Sequence, residues 1–567
     1  MSQQPTKQRT KTRKPAVETV DIHIDGKPYR VPKGISILDA ARQNDIYIPT
    51  LCWHESLSAH GGCRMCIVEV EGLRNLPTAC TTPVSDGMMI RTRTAQVQDA
   101  RREILQLFMS EHPSSCLICD ERDGCSVTLR TIRKAGVTTG CRYCSKDQWC
   151  ELQAIAEYLN VDHLQYPIHY RGLLVEKEDP FYDRDYNLCI LCGRCVRVCQ
   201  EVRLANVLAF KHRGRDAVVG PAYDRTHFDA GCEFCGACVE VCPVGALKEK
   251  VRAWEGEQER EVTTTCSYCG VGCQVRLLLS DSRVIGSLPA HDSLVNNGQL
   301  CVKGRFCVTE MVSGYKRLKQ PYRKVGDTTA EISWNEALEE IAGKLAECPP
   351  DKFGMVVAAN ATNEDLYVAQ KFVRLAMQSH NVDCSARLYY GRGFNAYLKL
   401  LARSTTLADM EQASAILCVG LDARFGRSVV GVALRRAMNR GAKVVTVNPR
   451  HHTLTLTADK WLHPGPGDEA AMLRSLAELT AGKKPKRTSD DLLEAIDILH
   501  AGKKPVILMG SEFLQLDACE EIIDAVDSIA HNLKAGVLPL PAQNNLLGSL
   551  MMGVYPELLP GPASSRN

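Results

Sequence analysis

Twenty-two of the chain's 27 cysteines fall between Cys52 and Cys301, in groups with short, recurring internal spacings. No other feature restricts the fold as strongly. A disulfide framework belongs to small secreted domains, and this chain has 567 residues. In a reducing compartment, grouped cysteines read as metal ligands, so a cytoplasmic metal-binding chain is expected. The other five, Cys307, Cys348, Cys384, Cys418 and Cys519, are scattered. They are expected to be small buried hydrophobes.

Composition narrows the partners. A formal net charge of +3 points to neither nucleic acid nor an anionic membrane surface. No uninterrupted apolar run is long enough to span a bilayer, so no direct membrane insertion is expected. Lys7, Arg9, Lys11, Arg13 and Lys14 have no apolar stretch behind them, which argues against a secretory signal. Residues 1–16 are expected to be a disordered basic tail.

The cysteine groups divide the chain. Cys52, Cys63, Cys66 and Cys80 can hold a 2Fe–2S cluster, with Gly61 and Gly62 letting backbone N–H groups approach sulfur. The alternation Val20–Ile24, the Asp25-Gly26 turn and Tyr29–Val31 mark a hairpin within 17–95. Ser36 opens a short helix with Asp39 as capping partner. A helix at about 97–111 leads into 96–165, where His112, Cys116, Cys119 and Cys125 are followed by Cys141, Cys144 and Cys150. In 178–252, Cys189, Cys192, Cys195 and Cys199 recur at identical spacing as Cys232, Cys235, Cys238 and Cys242, with Pro243 following. This is the bacterial two-cluster run, in which the fourth cysteine of each run serves the other cluster. One 4Fe–4S cluster is therefore expected on Cys189, Cys192, Cys195 and Cys242, and another on Cys232, Cys235, Cys238 and Cys199. A last group in 260–320 is Cys266, Cys269, Cys273 and Cys301. From about 330 the sequence turns to strand–helix alternation, as at 415–420, 427–440, 444–447, 505–510 and 515–531. No nucleotide-binding glycine loop is apparent.

The first group resembles the N-terminal domain of the large iron–sulfur subunit of complex I, of NAD-linked formate dehydrogenases and of iron-only hydrogenases. His112-x3-Cys116-x2-Cys119-x5-Cys125 resembles their cluster site of one histidine and three cysteines. In those families the last cysteine leads into a Glu-Leu-Gln helix start, whereas here Glu151-Leu152-Gln153 follows Cys150. Either Cys125 or Cys150 completes the His112 4Fe–4S site. A further centre at Cys141, Cys144 and Cys150, 4Fe–4S or zinc, stays open, as does a zinc ribbon of Cys116, Cys119, Cys141 and Cys144. The Cys266 group and Leu300-Cys301-Val302-Lys303-Gly304 resemble the 4Fe–4S domain of molybdopterin oxidoreductases. There the lysine matching Lys303 lies between cluster and pterin; without a pterin it stabilises a negative cluster. Asn363–Tyr367, Val447–Arg450 and His463–Asp468 resemble the catalytic domain of formate dehydrogenases.

The resemblance implies a multidomain α+β and α/β chain. Its parts would be an N-terminal 2Fe–2S β-grasp ferredoxin-like domain (17–95), a one-histidine/three-cysteine cluster domain (96–165), a two-cluster bacterial ferredoxin domain (178–252), a molybdopterin-oxidoreductase-type 4Fe–4S domain (260–320) and a truncated α/β domain (321–567). Two departures weigh against catalysis. Formate dehydrogenases carry cysteine or selenocysteine followed by histidine where Tyr389 and Tyr390 align. The chain also stops about where a catalytic subunit would continue. One 2Fe–2S and four 4Fe–4S clusters are expected, with Mo- or W-pterin absent and no catalytic residue in the chain. The implied function is an electron-transfer subunit between a flavin/NADH-oxidising module and another redox module, such as a hydrogenase, a formate dehydrogenase or another reductase, electron-bifurcating ones included. Its implied partners are a flavin/NADH-binding subunit and a small 2Fe–2S subunit like those of complex I, plus a second redox subunit. The alternative is a catalytic Mo/W formate dehydrogenase-like subunit.

Overall fold

The computed structural model describes residues 18–119, 140–141, 144–252, 258–485 and 488–561, without the side chains of 389 and 392. The basic tail and Cys125 lie outside the described residues. Two compact units emerge. The first is Met1–Val202, Leu208–Gly220 and Val241–Trp254; the second is Arg203–Val207, Pro221–Glu240 and Glu255–Asn567.

The first unit opens with the expected hairpin. Strands Thr19–Ile24 and Lys27–Pro32 pair antiparallel. The intervening Asp25 and Gly26 have φ of +48° and +81°, as a two-residue turn matching strand twist requires. Met89–Arg91 joins parallel to the first strand and Glu69–Val70 closes a four-stranded sheet. Alternate residues Val20, Ile22 and Ile24 enter the core with Leu38 and Ala41 of the helix Ile37–Gln43. Ser36 caps that helix by accepting from the Asp39 N–H at 3.0 Å, and its hydroxyl donates to the Asp39 carboxylate. A long helix follows at Ala95–Glu111. Its Arg101 is fully buried yet satisfied, donating to the carbonyls of Thr92 at 3.1 Å and Ile67 at 2.7 Å. It thereby anchors the residue after Cys66 to the helix.

In the second unit a three-stranded antiparallel meander, Arg260–Thr265, Gln274–Ser280 and Arg283–Pro289, carries the Cys266–Cys273 loop between its first two strands. The helix Trp334–Ala346 begins at a full capping box between Ser333 and Glu336. Beyond it lies a parallel sheet in the order Lys460–Leu462, Lys443–Val447, Ala415–Val419, Val506–Met509, Gly536–Pro539. The central strand is buried on both faces along its whole length, which is why Ala415-Ile416-Leu417-Cys418-Val419 reads as an unbroken apolar run. Leu417→Ala is expected to cost about 2–5 kcal/mol by leaving a cavity there, measurable as a lowered denaturation midpoint. Of the five scattered cysteines, Cys384, Cys418 and Cys519 are buried as expected. Cys307 and Cys348 are only partly so, because both sit at helix ends rather than inside the core. No helix among the described residues is long and apolar enough to cross a membrane.

Candidate metal centres

Cys52, Cys63, Cys66 and Cys80 are all buried, none more than 6% exposed. The glycine loop behaves as its sequence suggests. The N–H groups of Gly62 and Cys63 point at the Cys52 sulfur, the latter at 3.5 Å, and that of Gly61 at Cys80. Gly61 has φ +68°, and a Cβ on Gly62 would meet the His60 ring at 2.7 Å. A donated Cys63 thiol hydrogen bond, these N–H groups and the Arg197 guanidinium together hold the Cys52 thiol below its ordinary pKa, against its burial. Such a pocket favours thiolate and suits a metal-bound sulfur.

The next centre is less regular. His112 is buried, and both its ring nitrogens lack a hydrogen-bond partner. Burial pushes its pKa down to about 4, so it is a neutral imidazole, the form that ligates metal. Cys116 is half-buried, Cys119 is exposed, and Cys141 and Cys144 are buried. A Cβ on Gly140 would stand 2.5 Å from the Cys116 sulfur, so the insertion returns against the first set. Burial raises the Cys141 thiol, and the charges of Cys150, Cys116 and Cys144 raise it further. The Lys146 N–H donates to the Cys144 sulfur at 3.4 Å.

Cys189, Cys192, Cys195 and Cys242 line one cavity with Ile190, Val219, Val244 and Leu247. Burial lifts the Cys189 thiol to about 11 and the Cys192 thiol to about 12, and Cys242 adds like charge to both. Desolvated thiols of this kind become thiolates when a cationic iron core compensates them. The second run, Cys232, Cys235 and Cys238, belongs to the other compact unit from Cys199. The sequence repeat is also a backbone repeat. Leu191 and Phe234 have φ of +51° and +49°, and Gly193 and Gly236 have +72° and +74°. These turns aim the Leu191 N–H at Cys189 and the Phe234 N–H at Cys232, the latter at 3.3 Å.

Cys266, Cys269, Cys273 and Cys301 open on a cavity of about 240 Å³ shared with Lys303, Asp422, Arg427 and Ser511. The N–H groups of Tyr268 and Val271 serve Cys266 and Cys269. Asp422 and Ser511 follow the strands Ala415–Val419 and Val506–Met509, neighbours at which the chain's direction of sheet growth reverses. Open α/β sheets bind ligands at that crevice. Arg427 is held at φ +62° and donates to Ser511 at 2.6 Å. It belongs to no sequence motif; its position beyond a strand end is the available signal. Tyr390 instead turns into the core, 2% exposed, with its ring 4.3 Å from that of Tyr397 and 5.7 Å from that of Phe394.

The donor sets fit iron–sulfur clusters: four thiols, or three with a neutral imidazole, in dry pockets with N–H groups directed at sulfur. Among the described residues no three His, Cys, Asp or Glu side chains converge on a point suited to one ion. Ligands of a cluster stand further apart, each on a different iron.

Four family models match in succession. They are a 2Fe-2S iron-sulfur cluster binding domain over residues 17–95, the ferredoxin-like domain of NADH-quinone oxidoreductase subunit 3 over 179–248, the molybdopterin oxidoreductase Fe4S4 domain over 259–313, and molybdopterin oxidoreductase over 317–553. The alpha subunit of an NADPH-Fe(3+) oxidoreductase from Geobacter sulfurreducens is 29% identical across 96% of this chain and 66% of its own length. An NADH-quinone oxidoreductase polypeptide of Rhizobium meliloti is 28% identical across 96% and 63%. A formate dehydrogenase-like protein of Staphylococcus aureus is 26% identical across 81% and 49%. The chain thus spans half to two thirds of the length of these relatives. Among solved structures, an NAD+-reducing [NiFe]-hydrogenase chain is 24% identical over 42% of this chain and 92% of its own, with TM-score 0.36. Acetylene hydratase from Pelobacter acetylenicus is 17% identical over 48% and 43%, with TM-score 0.42. Both values are too low to carry an argument. The sequence relatives and the order of matched domains agree, and the chain is a homologue of the iron–sulfur polypeptides of NADH-quinone oxidoreductase and of formate dehydrogenase-like proteins.

Proposed function

We propose that the chain is an iron–sulfur electron-transfer subunit, passing single electrons between a flavin/NADH-oxidising module and a second redox module. The observation that carries this reading is the stitching of neighbouring cysteine sets by buried arginines. Arg197, two residues after Cys195, donates to the carbonyls of Cys52 and, at 2.6 Å, Ser58. Arg194 clasps the carboxylate of Glu151, the residue after Cys150, at 2.6 Å with each terminal nitrogen. Successive centres are thereby held close and fixed in distance, as a relay needs and a single-substrate site does not. The clusters supply one-electron chemistry at potentials set by burial, charge and N–H···S bonds. The polypeptide holds the thiolates, directs N–H groups at sulfur and excludes water.

In this reading Cys52, Cys63, Cys66 and Cys80 hold 2Fe–2S. The ferredoxin and Cys266 groups hold 4Fe–4S clusters as assigned by their spacing, and His112 serves another with Cys116 and Cys119. The proximity of Cys116 to the insertion favours Cys150 over Cys125 as the remaining ligand. Nicotinamide passes hydride, so a flavin partner is needed to split it into single electrons. The test is iron analysis after anaerobic reconstitution. About 18 irons per chain are expected, or about 22 with a further cluster in the insertion. Fewer than about 14 would sink the five-cluster reading. Iron near 18 with stoichiometric zinc would place zinc in the insertion.

A second reading, a Mo- or W-pterin enzyme, draws on the match to molybdopterin oxidoreductase over 317–553 and on the cavity beyond the Cys266 group with Lys303 and Arg427 on its wall. The buried aromatic setting of Tyr390 makes it the weaker one.

A further inference from the structure

One arginine outside the cysteine motifs stands where two cluster sites of the second unit meet. Arg203 has 1% of its side chain exposed. One terminal nitrogen donates to the Gln299 amide oxygen at 2.8 Å and the Leu300 carbonyl at 3.4 Å, immediately before Cys301. The other donates to the Glu233 carboxylate at 2.5 Å, between Cys232 and Cys235, and to the Ser428 hydroxyl at 2.9 Å. Glu233 is itself 4% exposed and takes a second guanidinium, that of Arg435, on its other oxygen at 2.6 Å. Arg435 also donates to the Arg203 carbonyl at 3.0 Å. The two cysteine loops abut here as well, since a Cβ on Gly236 would lie 2.7 Å from the Arg305 side chain.

Two guanidinium groups and one carboxylate leave a net charge of +1 in a dry junction. An isolated buried pair would cancel; this triad does not. Reduction adds one negative charge to a cluster and moves no proton here, so a nearby fixed cation favours the reduced state of either neighbour. We propose that Arg203, locked by Glu233 and Arg435, is a positioning residue shared by the clusters of the Cys232/Cys235/Cys238 and Cys266/Cys269/Cys273/Cys301 groups. It raises both midpoint potentials together, so that one electron leaving either centre enters the other without a large step. The inference rests on the relay reading and adds to it what keeps two stations in register.

The experiment is EPR-monitored redox titration of the full chain, reconstituted anaerobically, with Cys235→Ala and Cys301→Ala assigning the two signals. Arg203→Gln is expected to lower both midpoints at unchanged iron content, each by a tenfold change in the reduction equilibrium, about 59 mV. Arg203→Lys keeps the charge and should lie nearer the wild type. Arg435→Gln, partly exposed, should lower both by less. The inference is overturned if both signals persist and neither moves, if only one moves, or if the lysine variant shifts as far as the glutamine one. Should Arg203→Gln lose its clusters, Arg435→Gln decides, and unmoved midpoints there overturn it. Absence of both signals in the wild-type chain would defeat the relay reading and this inference with it, whereas unmoved signals defeat the inference alone.

Discussion

Cys242→Ala is expected to remove one entire 4Fe–4S cluster, about four irons of about 18, and the cluster lost is the one whose other ligands lie some fifty residues earlier. The reason is geometric. Cys242 lines the same cavity as Cys189, Cys192 and Cys195, and it raises the thiols of Cys189 and Cys192 as a like charge would. It is 8% exposed, and its carbonyl is held by the Lys146 ammonium. An alanine leaves three thiols in a desolvated pocket with one iron corner unligated. Reduction of clusters beyond this point by a flavin partner should be abolished. Retention of that cluster, with loss instead of the one on Cys232, Cys235 and Cys238, would refute the crossed assignment. Iron analysis and EPR of the same sample decide it.

Purified chain is expected to hold no stoichiometric Mo or W, to oxidise no formate, and to reduce dyes from NADH only when joined to a flavin subunit. Tyr390 carries much of the argument. In the short helix Arg387–Tyr390 it points inward onto Tyr397 and Phe394. A phenol there is neither a soft thiolate ligand nor an imidazole base. The double variant Tyr389→Cys, Tyr390→His should therefore not gain formate activity. It should instead lose about 1–3 kcal/mol of stability, because the imidazole would be buried without a partner. Metal analysis showing one Mo or W per chain, with formate-dependent dye reduction, would establish the enzyme reading in place of the relay.

Legibility in the sequence follows the range of the interactions. The hairpin at Asp25-Gly26, the central strand at 415–419 and the helix at 428–439 are readable because turn chemistry and apolar runs are local. Cysteine spacing is local too, which is why four ligand sets can be written down from it. Arg197, Arg194 and Arg203 cannot, since a buried arginine looks like any surface arginine until its carbonyl and carboxylate partners are known. Ser58 is 139 residues from Arg197, and Ser428 is 225 from Arg203. Cys125 illustrates the other boundary: it lies outside the described residues, so spacing remains its only witness.

The cavity at the Cys266 group is walled on one side by loops rather than by strands. Asp422, Arg427 and Ser511 each come after a strand of the parallel sheet has ended. What fills that space can therefore change by substitution at loop positions without repacking Leu417, Val445 or Ile507, which are essentially inaccessible inside the sheet. In terms of mutational tolerance, the sheet and its crevice are uncoupled. A saturation scan scored by expression should show intolerance at the three core positions and broad acceptance at Asp422 and Ser511. A lineage carrying this fold could thus lose or exchange a bound group at the crevice while the polypeptide around it stayed foldable at every step.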